Sequence, residues 1–144
     1  MPRVLVVDDD DTIRDTLYDL LSEEYICQTA ETAEKAFARL EADSYDVVLT
    51  DISMPGLSGL ELLGHIRQKY PETPVIMISG IGDHEHAQGL IKLGAFDFLM
   101  KPFSLEVVEK SVRRAVELRR HQREESSTNG VDGKEGEASD WQIV

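Results

Sequence analysis

The sequence predicts one α/β domain, a doubly wound five-stranded parallel sheet in the order 2-1-3-4-5 with helices on both faces. Short apolar runs alternate five times with stretches of helical periodicity over about the first 120 residues, as in repeated strand-crossover units. The runs Val4-Leu5-Val6-Val7, Val47-Val48-Leu49 and Val75-Ile76-Met77-Ile78 are apolar without alternation, as strands covered on both faces must be. Right-handed crossovers between parallel strands then distribute the helices over the two faces.

The first strand, from Arg3 to Val7, ends in Asp8-Asp9-Asp10-Asp11, after which Ile13, Leu17, Leu20 and Leu21 recur at helical spacing. A second strand around Ile26–Ala30 alternates in polarity, which suits a sheet edge. The helix after it, from about Thr32, buries Ala33, Phe37 and Leu40. Val47-Val48-Leu49-Thr50-Asp51 is the third strand and stops at the turn Met54-Pro55-Gly56. Ser58-Gly59-Leu60-Glu61 has the form of a capping box, so a third helix starts there and buries Leu62, Leu63 and Ile66. Pro74 opens the fourth strand, Val75 to Ser79, and Gly80 lets the chain turn. A helix carrying Ala87, Leu90 and Ile91 then ends at Gly94 as a left-handed cap. Phe96 to Met100 is the fifth strand, followed by Lys101-Pro102-Phe103. Ser104 caps a last helix whose Leu105, Val108, Val112 and Ala115 face inward.

The domain is placed at residues 1–121. From 122 to 144 the composition turns to Glu, Ser, Gly, Asp and Asn, which reads as a flexible linker or disordered tail. Its apolar end, Trp141-Gln142-Ile143-Val144, fits equally a native terminus and a chain continuing into an output domain. A length of 144 residues suits one domain with a full core. The net charge of −13 argues against direct nucleic-acid binding by this segment and suits a protein that holds a cation. Cys27 is the only cysteine, which excludes an intramolecular disulfide and a multi-cysteine metal site and fits a reducing cytoplasm. With no apolar run long enough to cross a bilayer and no signal peptide after Met1-Pro2-Arg3, a cytoplasmic protein without membrane contact is expected.

Four polar features fall at the C-terminal ends of strands one, three, four and five: the Asp8-Asp9 pair, Asp51, Ser79 and Lys101. Each has an ordinary explanation as a helix start, a turn cap, a turn former or a surface charge. Their convergence on one sheet edge does not. If strands one and three are neighbours, their exits form the crevice where doubly wound sheets bind ligands. Three carboxylates gathered there repel one another unless a hard divalent cation is bound, and Mg2+ is expected. A carboxylate beside Mg2+ and a lysine is equipped to accept a phosphoryl group, giving an aspartyl phosphate that water later hydrolyses.

Val6-Val7-Asp8-Asp9, Asp51 with Met54-Pro55-Gly56 and Gly59, Ser79-Gly80, and Lys101-Pro102-Phe103 resemble, in order, the blocks of the receiver domains of two-component response regulators. The resemblance covers about residues 3 to 121 and implies a flavodoxin-like fold. It implies that Asp51 is the phosphoacceptor, loaded from a phosphohistidine on a sensor histidine kinase or a phosphotransfer protein. Asp9 would bind Mg2+ directly, Asp8 would assist through water, and the Ser53 backbone carbonyl would be a further ligand. Lys101 would neutralise phosphoryl oxygens, across a cis Lys101-Pro102 bond. Ser79 would be the switch hydroxyl. Phe98 stands at the switch-aromatic position without a tyrosine hydroxyl, and reads as well as a core phenylalanine.

The implied activity is a signalling switch that dephosphorylates itself, not an enzyme turning over a small molecule. Phosphate on Asp51 would shift the surface formed by the helix around Glu85 to Leu93, the Phe96 strand and the last helix. Arg113, Arg114, Arg119, Arg120 and Arg123 on that last helix make either a solvated basic face or a cross-subunit pairing surface for a phosphorylation-dependent homodimer. Ser53 and Ile81 depart from a polar pattern that would position water, and Ile81 is expected to screen the acyl phosphate from hydrolysis.

Asp8-Asp9-Asp10-Asp11-Thr12 also resembles the Asp-x-Asp-x-Thr motif of haloacid-dehalogenase-like phosphatases, with Asp8 as nucleophile and Asp10 as general acid. Against that alternative, Asp11 replaces the usual glycine, no acidic pair follows Lys101, and Asp51 is left without a role. The complete set of Asp8, Asp9, Asp51 and Lys101 likewise disfavours a pure interaction module.

Overall fold

The computed structural model describes residues 1–80 and 87–132. Five strands, β1 (Arg3–Val7), β2 (Ile26–Ala30), β3 (Val47–Asp51), β4 (Val75–Ser79) and β5 (Asp97–Met100), form one sheet. They alternate with α1 (Asp11–Leu21), α2 (Ala33–Ala42), α3 (Gly59–Lys69), α4 (Ala87–Lys92) and α5 (Leu105–Asp132). The strand order is β2-β1-β3-β4-β5, all parallel, as expected. β1 and β3 are neighbours, with Val7 opposite Thr50, so the chain segments that leave them emerge side by side. Asp51 in turn lies opposite Ile78, one residue before Ser79.

Each face of the sheet has its own apolar layer. Leu5, Val7, Val48, Val75 and Met77 pack with Ala33, Ala36 and Leu40 of α2, Leu62, Leu63 and Ile66 of α3, and Leu90 of α4. Val4, Val6, Leu49, Ile76 and Ile78 point the other way, onto Leu17 and Leu21 of α1 and Val108, Val112 and Ala115 of α5. Alternate residues of one strand thus feed opposite cores, and each fully buried aliphatic side chain contributes about 1.5–3 kcal/mol. Leu105, expected inward, is 44% accessible, and so is Ile91, an apolar residue of α4. Leu105 opens α5 ahead of the first buried position, Val108, and α4 is short enough to bury Leu90 while Ile91 turns outward.

Helix starts follow the local chemistry. The Thr32 and Ser104 hydroxyls accept from the amides of Lys35 and Val107. Ser58 and Glu61 form the reciprocal capping box that places α3 directly after the β3 exit loop. Ser58→Ala is expected to lower stability by about 1 kcal/mol and Ser58→Asp to leave it near the parent value, as read from urea unfolding midpoints. Gly94 holds φ 109 after α4, the expected left-handed cap.

The backbone of α5 stays helical to Asp132, past residue 121 where composition places the end of the domain. Glu- and Ser-rich sequence lacks core-forming residues, which is a different matter from being unable to continue a helix already nucleated on a core. Along this helix Arg114 pairs with Asp97, Arg119 with Glu72 and Arg123 with Asp46, each at 3.0 Å. Three of the five arginines read as a basic face therefore have partners within the chain. Ile81, Glu85 and Trp141 to Val144 lie outside the described residues. Among the described residues, no helix is long and apolar enough to cross a membrane.

Candidate functional site

The site is assembled from the exits of β1, β3, β4 and β5. Asp8 follows β1, fully buried, and its amide bonds to the Ala30 carbonyl of the neighbouring β2 at 3.1 Å. Asp51 is the last residue of β3 and 5% exposed. Ser79 ends β4 and is 1% exposed, and its carbonyl accepts from the Lys101 amide at 2.9 Å, which ties the β4 and β5 exits together. The Lys101-Pro102 peptide bond is cis.

Asp8, Asp9 and Asp51 each offer a carboxylate oxygen, and these oxygens lie within 4.8 Å of one another. Lys101 Nζ stands 3.5 Å from Asp51 Oδ2 and 3.8 Å from Asp8 Oδ2. Lys101 thus pairs with two of the three carboxylates. Burial pushes the Asp8 carboxyl up to about 6 from 3.8; the hydrogen bond from the Asp10 amide opposes this, and the negative charge of Asp51 adds to it. The Asp51 carboxyl is also raised, chiefly by burial, with Lys101 pulling against it. Its Oδ1 accepts from the Ser53 amide at 3.4 Å.

Two buried polar atoms here have no hydrogen-bond partner, Asp8 Oδ2 and Ser79 Oγ. Unmet buried polar atoms cost about 1–3 kcal/mol each, and their presence at one sheet edge points to a ligand that would meet them. The donor set is oxygen only, the chemistry of a hard divalent cation. Oxygens on opposite sides of an Mg2+ ion stand about 4.2 Å apart, so the cluster fits such an ion with small adjustments.

Asp8, Asp9, Asp51 and Lys101 are therefore brought together, with Ser79 at the adjoining strand exit. Phe98 is not among them. It is half-buried on β5 and packs against the layer formed by α2, α3 and α4, as its core reading requires. Asp10, the expected general acid of the phosphatase alternative, is committed to α1: its carboxylate accepts from the amides of Thr12 and Ile13 at 2.8 and 3.3 Å. Cys27 is buried, and burial pushes its thiol up to about 12, so it is no nucleophile near neutral pH.

Gly59 and Thr50, which the sequence showed only as a motif glycine and a strand residue, take specific places beside Asp51. Gly59 is where α3 crosses behind Asp51, and a β-carbon there would lie 1.9 Å from the Asp51 carbonyl oxygen. Thr50, fully buried, donates its hydroxyl to that same carbonyl at 3.1 Å. The Gly59 contact depends on how α3 returns over the strand end, which no local pattern specifies, whereas the Thr50 bond lies within β3 itself.

The response regulator receiver domain family matches residues 4–113. The nitrogen assimilation regulatory protein NtrX of Azorhizobium caulinodans is 40% identical over 124 residues, 84% of this chain and 27% of that protein. The DNA-binding transcriptional regulator NtrC of Salmonella typhimurium is 37% identical over 130 residues, 90% of this chain and 27% of that one. The chain thus spans about a quarter of the length of these curated relatives. Among solved structures, the receiver domain of NtrX from Brucella abortus is 41% identical with a TM-score of 0.76, over 79% of this chain and 98% of that one. A response regulator receiver domain protein from Clostridium thermocellum, 30% identical, gives 0.80 over 85% of this chain and 99% of that one. None of these matches supports the phosphatase alternative. A five-stranded sheet in this order, an acidic cluster at its β1–β3 exits and a match over most of the length make this chain a member of the response regulator receiver domain family.

Proposed function

We propose that the chain is a phosphorelay switch in which Asp51 accepts a phosphoryl group from a histidine on a sensor kinase or a phosphotransfer protein. The observation that carries this reading is the surroundings of Asp51, 5% exposed at the end of β3, with Lys101 Nζ 3.5 Å away and with Asp8 Oδ2 and Ser79 Oγ, which have no hydrogen bond, at the adjoining strand ends. Asp8, Asp9, Asp51 and the Ser53 main-chain carbonyl are assigned to Mg2+, which when bound offsets negative charge on the reacting oxygens. Asp51 presents a carboxylate oxygen in line with the phosphorus, and the P–N bond to the donor histidine breaks as the P–O bond forms. Lys101 holds positive charge against the transferred group, and the Ser79 hydroxyl supplies a hydrogen bond to one of its oxygens. Hydrolysis of the acyl phosphate returns Asp51 to its starting form, so the chain has self-directed chemistry only.

Phe98 is assigned to carrying the change from Ser79 along β5 toward α4 and α5, as a core side chain whose packing responds to the new bond. Ile81 is assigned to shielding the acyl phosphate. The domain is taken to end at residue 121, with 122–144 leading toward an output partner or domain. Any DNA contact of the kind NtrC's name describes would belong to that output, since this segment is strongly acidic. A phosphorylation-dependent homodimer would draw first on Arg113 and Arg120, because Arg114, Arg119 and Arg123 already have partners within the chain. A cytoplasmic location follows from the phosphohistidine donor this chemistry needs.

Incubation with acetyl phosphate and Mg2+, followed by mass mapping of a borohydride-reduced digest, is expected to place one phosphoryl group on Asp51 and none on Asp51→Asn. Label on Asp8 would overturn the reading in favour of phosphatase chemistry.

A further inference from the structure

We infer that Arg14 is a positioning residue for the cation-binding loop, holding the Asp8 main chain while leaving the cluster carboxylates free; this rests on the Mg2+ reading of Asp8, Asp9 and Asp51. A guanidinium bonded to the backbone of a cluster residue would compete with an incoming cation if it paired with the cluster carboxylates instead. Arg14 does otherwise. One arm of its fork, Nη1, donates to the Asp8 carbonyl oxygen at 2.9 Å, and the other, Nη2, is ion-paired with Asp11. The side chain is 16% exposed, so this fork is largely packed in place.

The four consecutive aspartates are thereby divided among three tasks. Asp8 and Asp9 face the cluster, Asp10 caps α1, and Asp11 anchors Arg14 from the first turn of that helix. The loop is pinned from both sides, since the Asp8 amide bonds to Ala30 on β2 while the Asp8 carbonyl bonds to Arg14 on α1. Glu31, a nearby carboxylate that could draw the guanidinium away, is itself paired with Lys35. Groups that orient ligand residues in this way typically hold about tenfold or more of a site's metal affinity.

The sign of the effect separates positioning from simple charge. Loss of a cation near an acidic site should tighten Mg2+ binding, whereas loss of a positioning fork should weaken it. Lysine retains the charge but cannot span a carbonyl and a carboxylate with one planar fork. Calorimetric titration of the full chain with MgCl2 is therefore expected to show about tenfold weaker binding for Arg14→Ala and weaker binding for Arg14→Lys as well. Melting in EDTA checks that each variant is folded, and Arg14→Lys carries the test where Arg14→Ala does not fold. Tighter or unchanged binding in Arg14→Ala, or parental binding in Arg14→Lys, would overturn the inference while leaving the Mg2+ reading intact. Failure of the parent chain to bind Mg2+ would remove both together.

Discussion

A β-carbon at position 59 is expected to cost the domain about 3 kcal/mol or more and to abolish phosphoryl acceptance with it. Gly59→Ala would place that atom 1.9 Å from the Asp51 carbonyl oxygen and 2.9 Å from both the Asp51 carbonyl carbon and the Ile52 Cα. All three are main-chain atoms, so no side chain can swing aside. Either α3 withdraws, breaking the 2.8 Å bond from the Gly59 amide to the Ile52 carbonyl, or the end of β3 shifts and carries Asp51 with it. The second route misplaces the carboxylate relative to Lys101, and the first loosens the loop whose Ser53 amide holds Asp51 Oδ1. A loss of this size corresponds to a fall in melting temperature of about 10 °C or more for a domain of this length. A variant melting within a few degrees of the parent and labelled at the parental rate would show that the contact relaxes without cost.

Asp8→Asn is expected to stabilise the metal-free protein at neutral pH and to lose that advantage in acid. Asp8 is fully buried and its carboxyl sits at about 6 instead of 3.8, so the folded form holds this proton more tightly than the unfolded chain does. The sign follows by linkage: the favourable contribution is fully present below about pH 4 and is lost as the pH rises through 6, leaving a penalty of about 3 kcal/mol at neutral pH. Asparagine never pays it, and its side-chain oxygen still accepts the 2.9 Å bond from the Asp10 amide. In EDTA the stability gap between variant and parent should open between pH 4 and pH 6. Saturating Mg2+ should then close or invert the gap at neutral pH, because a cation that binds only the folded state stabilises the parent by mass action. Urea unfolding at both pH values, with and without Mg2+, reads all four corners. A gap that does not change with pH would show that the Asp8 carboxylate is already neutralised by its surroundings.

The sheet was legible wherever strands are buried on both faces. β1, β3 and β4 announce themselves as unbroken apolar runs because each must feed two cores, and β2 announces its edge position by its alternation. Capping chemistry was equally local, which is why Ser58 and Ser104 could be read directly. Leu105 defeated the reading for the opposite reason, and Ile91 could not be assigned a face at all. Hydrophobicity alone does not tell which side of a short helix, or which residue of its first turn, meets the sheet.

At the site, residue types that must converge on a strand exit were visible from their order along the chain. What each carboxylate of the acidic run does was not. Asp8 and Asp10 have the same chemistry and nearly the same position in sequence. Only the direction of the backbone as it enters α1 sends one into the cluster and the other onto the helix amides. Arg14, three residues after Asp11, carried a local signal for their ion pair, but its reach back to the Asp8 carbonyl required the fold.

The long α5 gives the domain a mechanical character that a compact sheet lacks. Arg119 and Arg123 grip Glu72 and Asp46, which places the fulcrum of the helix at the edge of the sheet opposite the phosphoacceptor. From Arg123 the backbone runs on helically to Asp132, an arm of about 13 Å at the rise of an α-helix. A tilt of about 10° at the fulcrum displaces the tip by about 2 Å. Any repacking beside β5 that tilted such an arm would be felt as movement at a distance, about the point where the two ion pairs mount it.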